Sequence, residues 1–342
     1  MKGDRGVLAV LAGVALLAAG LDAWLDRREA TQRLADSTFY RLAGGAAADL
    51  GAVARVELVV PGQPACVYVR EAIGWRLPSH GGAFALGQEL EALVQAFTNS
   101  RGTRLGSMAD RSQRARFGFE GDRALRLRLC AADGTVLLEG LAGAVAPGQR
   151  ASECMLAAVG HEPILLADAN PWSLLGPAPG AGRAPLQDPH VTPRALGRQT
   201  PRHLRATGPE AKWRSILRRD VPPERRRPDG RGPRYDWFAA TDDGEQPLDY
   251  AATMAFVRGL VDVQYAALLG DAADHAQRLQ AVALQIALEY DGGDADLLTI
   301  TAAASDGRRQ VLQGTTQQVF VLSREQADAL CAGGPAAPST RR

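Results

Sequence analysis

The sequence predicts an α+β chain: an N-terminal transmembrane helix, then two tandem modules, each a helix packed on an antiparallel sheet. One observation is internal repetition. Ala124-Leu125-Arg126-Leu127-Arg128-Leu129 leads through Asp133-Gly134 to Thr135-Val136-Leu137-Leu138, then across a polar turn to Pro163-Ile164-Leu165-Leu166. Val282-Ala283-Leu284-Gln285-Ile286-Ala287-Leu288 leads likewise through Asp291-Gly292 to Leu297-Leu298-Thr299-Ile300, and on to Val319-Phe320-Val321-Leu322. A second observation is that a helical pattern precedes each block, and a tryptophan-bearing strand precedes each helix. The third is an apolar run at the start of the chain.

That run covers residues 6–25, uncharged to Leu21 and broken only by Asp22. As a helix it spans about 30 Å at ~1.5 Å per residue, the thickness of a bilayer core. Lys2 and Arg5 precede it, and Trp24 stands where an interfacial aromatic belongs. A cleaved signal peptide, with Ala18-Ala19-Gly20 at the cleavage site, is the competing reading. The apolar run continues past that site, which favours a retained anchor. Arg27, Arg28, Arg33 and Arg41 after the span argue for a cytoplasmic body by charge alone. The short basic tail ahead of the span has the form of an export signal, and the expected topology places the body outside.

Residues 26–42 continue as an amphipathic helix in this reading. Residues 53–60 alternate as a strand, Pro61-Gly62-Gln63-Pro64 turns, and residues 66–70 return. A third strand runs through Ile73-Gly74-Trp75-Arg76-Leu77 and stops at Pro78. Residues 85–100 carry Leu86, Leu90, Leu93, Val94 and Phe97 at helical spacing. In the second module, residues 203–207 and 213–217 form the opening hairpin, Tyr235-Asp236-Trp237-Phe238 matches the first tryptophan strand, and residues 249–269 are the helix. Its stripe is Met254, Val257, Leu260, Val261, Tyr265 and Leu268, with Asp249 as N-cap and Gly270 as stop. A short helix over 323–330 closes the module. The expected domains are a membrane anchor and juxtamembrane helix (1–48), a first module (49–175), a Pro/Arg-rich linker (176–199), a second module with a basic insertion (200–331) and a disordered tail (332–342).

Composition excludes some functions. Net charge is +1 over 342 residues, so no global field selects nucleic acid or an anionic surface. Residues 183–234 hold 14 Lys+Arg against five Asp+Glu, with Arg225-Arg226-Arg227 as the tightest cluster. Trp213 is the lone tryptophan there, too little for base stacking, so no nucleic-acid partner is expected and the stretch reads as a solvated connection. Contact with a membrane surface is the alternative.

Residues with chemical potential are dispersed. His80, His161, His190, His203 and His275 form no zinc spacing, and Cys66, Cys130, Cys154 and Cys331 form no C-x-x-C pair. Cys130 and Cys154 fall in strand-like stretches of one module, where buried free cysteine is the favoured reading and a cross-link outside the cytoplasm the alternative. Asp291, Asp294 and Asp296 have calcium-loop spacing but lack the distal glutamate, and read as a turn. Glu120 and Asp122 are the carboxylates an envelope glycosidase would need to bring together. Trp75 and Trp237 occupy matching places and read as covers for the open end of each core, with ligand stacking as the alternative. Pro171-Trp172 reads as a similar seal. No catalytic, cofactor-binding or metal-ligating set is assigned, and no enzyme activity is expected.

The order of elements resembles a family of unknown function, the domain-of-unknown-function 4340 family. The residues carrying the resemblance are Gly74-Trp75-Arg76-Leu77-Pro78, the leucine-striped helix, Phe117-Gly118-Phe119, similar to the family's aromatic-Gly-Leu motif, and the hairpin around Asp133-Gly134. It covers about residues 50–170 and, more weakly, 200–330; the long Arg/Pro insertion between modules departs from it. The resemblance implies a single-pass protein of the inner membrane with an extracytoplasmic body, auxiliary to an ABC-type transporter of the gliding-motility kind. Its partners would be the transporter's membrane subunits and, through residues 6–25, the bilayer. Its role would be a non-catalytic scaffold without cofactor. A glycan-acting envelope enzyme and a polybasic membrane-surface protein are the alternatives.

Overall fold

The computed structural model describes residues 40–42, 50–143, 154–176, 183–222, 234–277, 279–331 and 334–335. They form a mixed α+β protein with two antiparallel sheets and few helices. Among the described residues no helix is long and apolar enough to cross a membrane. The anchor expected over 6–25 lies outside them, as do Arg225-Arg226-Arg227. Contacts divide the chain into two compact units, residues 1–65 with 91–176, and residues 66–90 with 177–342.

In the first unit the strands are β1 (Tyr40–Arg41), β2 (Arg55–Val59), β6 (Arg101–Ser107), β7 (Leu125–Cys130), β8 (Val136–Ala142), β9 (Cys154–Ala158) and β10 (Pro163–Ala167). Their order is β1-β6-β10-β9-β8-β7-β2. Alternation explains the pleat: Leu125, Leu127 and Leu129 are buried while Arg126 and Arg128 face out. The outward arginines pair across strands with Glu57 and Glu139. Helix α1 (Gly87–Thr98), which belongs to this unit from Glu91 onward, buries Leu90, Leu93, Val94 and Phe97, four of the residues the sequence marks. Phe97 packs on Gly140 of β8, where an added Cβ would stand 2.4 Å from the ring. Two short helices, α2 (Arg111–Arg116) and α3 (Pro171–Leu174), complete the unit. Asp110 caps α2 and Asn170 caps α3.

The second unit contains β3 (Cys66–Arg70), β4 (Trp75–Leu77) and β5 (Ala83–Phe84), each antiparallel to the next. Its nine-stranded sheet is built from β11 (His203–Thr207), β12 (Ser215–Asp220), β13 (Tyr235–Thr241), β14 (Gly244–Pro247), β15 (Ala267–Asp271), β16 (Val282–Glu289), β17 (Ala295–Thr301), β18 (Arg309–Gln313) and β19 (Gln318–Leu322). The order is β14-β13-β12-β11-β16-β17-β18-β19-β15. Helices α4 (Tyr250–Val261) and α5 (Arg324–Cys331) accompany it. Val257 and Leu260 of α4 and Ala327 and Leu330 of α5 join a core with Trp237, Ile286, Leu288, Ile300 and Phe320.

The two sets of strands correspond step by step. The run β6-β10-β9-β8-β7-β2 has the order of β15-β19-β18-β17-β16-β11, and β3-β4-β5 the order of β12-β13-β14. Registers agree as well. The first residue of β2 faces the last of β7, Arg55 opposite Cys130, as His203 faces Glu289. Cys154 faces Ala167 as Arg309 faces Leu322. Even the irregularity recurs. Ile164 and Leu165 pair with Gly106 and Arg104, leaving Leu105 as an extra residue; Val319 and Phe320 pair with Gly270 and Leu268, leaving Leu269 extra. A bulge at one defined place bends and re-aims the strand that carries it, and sequence drift has no reason to create it twice independently.

Several expectations are corrected. The helix placed at 249–269 ends at Val261, and Leu268 belongs to β15; Gly270 is a bulge residue at φ +123°, not a helix stop. The helix placed at 26–42 does not reach its end as a helix, because Tyr40–Arg41 pairs with β6. The segment between α1 and β7 contains β6 and α2, the stretch read as a polar turn before Pro163 contains β9, and the matching stretch before Val319 contains β18. The matching turn is shifted by one residue: Gly134 N–H donates to Ala131 C=O at 3.0 Å and Gly293 N–H to Tyr290 C=O at 3.4 Å, so Gly134 corresponds to Gly293 rather than Gly292. Cys130 and Cys154, by contrast, are buried free thiols on β7 and β9, the favoured reading.

Candidate functional site

The segment read as a solvated linker is among the most buried parts of the second unit. Ala184, Leu186, Asp188, His190, Val191 and Thr192 are all buried. Residues 184–191 act as an extended strap with two partners. Its first half closes the edge of β5: Leu86 N–H donates to Leu186 C=O at 2.8 Å and Asp188 N–H to Phe84 C=O at 2.8 Å, around an antiparallel bridge between Ala85 and Gln187. Its second half pairs just ahead of β15, with Tyr265 N–H on Pro189 C=O at 3.0 Å and Val191 N–H on Val263 C=O at 2.9 Å. That second half stands to β15 as β1 stands to β6.

Side chains hold the strap down. Tyr68 hydroxyl donates to Pro185 C=O, and Tyr265 hydroxyl donates to Asp188 C=O at 2.7 Å while accepting from Gln187 Nε2 at 2.8 Å. Burial pushes both tyrosines above their ordinary pKa, so the hydroxyls stay neutral donors. Asp188 Oδ1 pairs with His190 Nδ1 at 2.6 Å and accepts His190 N–H at 3.1 Å; Oδ2 accepts Arg194 N–H at 2.7 Å. Each lone pair of this buried carboxylate that has a partner serves backbone placement or the adjacent ring, which is structural work. The strap therefore shows directly that this module accepts an extended segment along its edge.

Among the described residues no strand pairs with the corresponding outer edge of the second sheet. Gly244–Pro247 of β14 is exposed throughout. Beside it lies a cleft of about 350 Å³ lined by Trp213, Ile216, Ala239 and Leu248, together with Gly334 and Pro335. Ile216 takes the place of Tyr68, since Val69 faces Arg76 as Leu217 faces Phe238. The cleft thus opens where Pro185 lies in the other case.

Residues singled out from sequence are distributed as follows. Trp75 and Trp237 are both buried, and their carbonyls accept from Ala85 N–H and Leu248 N–H at 2.8 Å each, two residues ahead of the helices. Both indoles belong to core, not to an open stacking surface. Trp172 donates its indole N–H to Gly143 C=O at 2.8 Å. The three aspartates after β16, two in the loop and Asp296 in β17, are held by arginines: Asp291 by Arg218, Asp294 by Arg198 at 2.7 Å, and Asp296 by the Nε and Nη2 of Arg198. Asp296 also accepts from Gln313 at 3.2 Å and Thr315 at 2.6 Å. Burial disfavours charge on Arg198, yet Asp296 and Asp294 raise its pKa above the ordinary value. Glu120 bonds Arg111 at 3.2 Å, while Asp122 lines a separate cleft of about 400 Å³ with Phe119 and Arg126. His203 bridges Ser215 and Glu289 at 2.7 and 3.2 Å, and His80 meets Ser79 at 3.0 Å. Among the described residues no group of three His, Cys, Asp or Glu is arranged to hold a metal.

None of the protein-family profiles, curated proteins or solved structures compared with the chain matches it. The strap residues Tyr68, Leu186, Asp188 and Tyr265 escaped the sequence reading. The available signal was Val191, an apolar residue inside a polar, proline-rich stretch, and the lack of any other counterpart for the segment preceding β2.

Proposed function

We propose that the chain is a non-catalytic, membrane-anchored auxiliary subunit of an ABC-type transport complex, built from one duplicated sheet-and-helix module. Residues 6–25 form its anchor and the body works outside the inner membrane. The observation carrying the binding reading is the strap. A module whose edge takes up an extended segment through two backbone hydrogen bonds and a tyrosine clamp is a recognition surface. The shared strand order, registers and bulge support descent of both halves from one ancestral unit, and such duplications serve assembly without requiring reactive groups. The engagement of Asp291, Asp294, Asp296 and Glu120 with arginines favours this reading over an envelope hydrolase, which needs a carboxyl pair facing one cleft.

The test is affinity capture of the full chain from detergent-solubilised membranes. Enrichment of transporter membrane subunits is expected. Recovery of soluble cytoplasmic proteins alone would overturn the proposal.

A further inference from the structure

We propose that the β14 edge is the docking site for an extended, basic segment of a partner protein, which adds to it as an outermost antiparallel strand in the way 184–188 closes β5. This deepens the recognition reading taken from the strap and rests on it, but not on the identity of the transporter.

Register sets the groups the edge offers. Leu248 N–H donates to Trp237 C=O at 2.8 Å, in the same register in which Gln246 faces Ala239 and Gly244 faces Thr241. Antiparallel alternation then turns the backbone groups of Gly244, Gln246 and Leu248 toward β13 and those of Glu245, Pro247 and Asp249 away from it. Phe84 faces Arg76 as Pro247 faces Phe238, so Pro247 C=O and Asp249 N–H stand where Phe84 C=O and Leu86 N–H receive the strap. Asp249 is the N-cap of α4, which leaves its N–H outside the helix's own bonds, and no described residue accepts it. Glu245 adds a donor and an acceptor to the same row.

Two features define the occupant. Tyr68 is a buried ring that donates its hydroxyl to Pro185 C=O, whereas Ile216 at the matching place is smaller and has no hydroxyl. The cleft of about 350 Å³ beside Ile216, Trp213, Ala239 and Leu248 therefore has room for a large apolar side chain where the strap carries Pro185. The rim is acidic. Asp242 and Asp243 form the turn into β14, Glu245 lies on the strand and Asp249 follows it. Arg214 meets Asp242 at 3.4 Å and Arg219 meets Glu245, while Asp243 and Asp249 have no cation among the described residues. In the strap's register the position opposite Glu245 is that of His190, so a lysine or arginine there, downstream of the apolar anchor, completes a cross-strand ion pair.

The same charges disfavour a second copy of this chain. A two-fold axis at Gln246 sets Asp243 of one copy opposite Asp249 of the other. An axis at Pro247 sets Glu245 opposite Asp249 and brings together two prolines that lack an N–H. Like charges directly opposite weaken a strand pair.

The probe is a synthetic peptide of residues 184–191 carrying Pro185→Leu, Asp188→Thr and His190→Arg, added to the full chain. Amide exchange at Asp249 is expected to be fast without peptide and to slow about tenfold or more at saturation, while exchange at Leu86 stays unchanged. Glu245→Arg should weaken binding about three- to tenfold and should favour the same peptide with His190→Glu in place of His190→Arg. Slow exchange at Asp249 before peptide is added would mean the chain covers its own edge, and would sink the proposal. So would protection that grows with protein concentration, which assigns the edge to a second copy, or a peptide that changes exchange at Leu86 alone. The assay contains no transporter, so its failure removes the edge assignment and leaves the capture experiment standing.

Discussion

Arg198 shows how single residues decide this structure. It comes from a segment whose composition suggests solvent, yet its guanidinium reaches a carboxylate with a fully buried side chain, Asp296, and the exposed Asp294. Removing one partner of such a pair leaves the other charge uncompensated, and Gln313 and Thr315 alone do not neutralise it. Arg198→Ala is therefore expected to destabilise the chain by about 3–5 kcal/mol, measured as a fall in urea midpoint. The Arg198→Ala/Asp296→Ala double variant should cost clearly less than the two single losses added together, because the pair acts as a unit. The same residue scale explains what the sequence concealed. Asp291, Asp294 and Asp296 have the spacing of a cation loop, but spacing carries no information about the arginines that approach from residues 198 and 218. Trp75 and Trp237, by contrast, were readable as core, since each precedes its helix at a matching place and a large apolar ring between two elements has one favourable destination.

Among elements, the strands with clean alternation were the legible ones. β3, β11 and the leucine side of β7 follow directly from period-two patterning. β6 was hidden because Arg101-Gly102-Thr103-Arg104-Leu105-Gly106-Ser107 is polar and glycine-rich and buries few side chains. β15 was hidden for the opposite reason: Tyr265 and Leu268 continue the apolar stripe of α4, and only the requirement to complete the sheet beside β19 makes that stretch extended. Glycines separate packing from propensity in the two major helices' surroundings. Gly140→Ala would drive a methyl into the Phe97 ring and is expected to destabilise by about 1–3 kcal/mol. Gly259 on α4 has no atom within 4 Å of a would-be Cβ, so Gly259→Ala is expected to stabilise by about 0.5–1 kcal/mol through helix propensity. Thermal or urea unfolding of the two variants should move in opposite directions.

At the scale of the whole molecule, the repeat was visible in the sequence but its boundaries were not. Linker-like composition suggested that each half ends where proline and arginine become dense, whereas residues 66–90 share a compact unit with 177–342. A fragment of residues 50–176 keeps β3–β5 but lacks the strap that bonds Phe84 and Leu86. It is expected to lose sharp cooperative unfolding and to bind a hydrophobic dye, while extending it to residue 331 restores a sigmoidal transition. Equal cooperativity in both fragments would show that the strap is dispensable for folding.

The strap also imposes an order of events on biosynthesis. Leu86 N–H bonds to Leu186 C=O, one hundred residues downstream. At roughly 5–20 residues per second of translation, β5 waits on the order of 5–20 s before its mate leaves the ribosome. During that interval a nascent chain carries a bare strand border, which is exposed to pairing with other chains until the later half emerges.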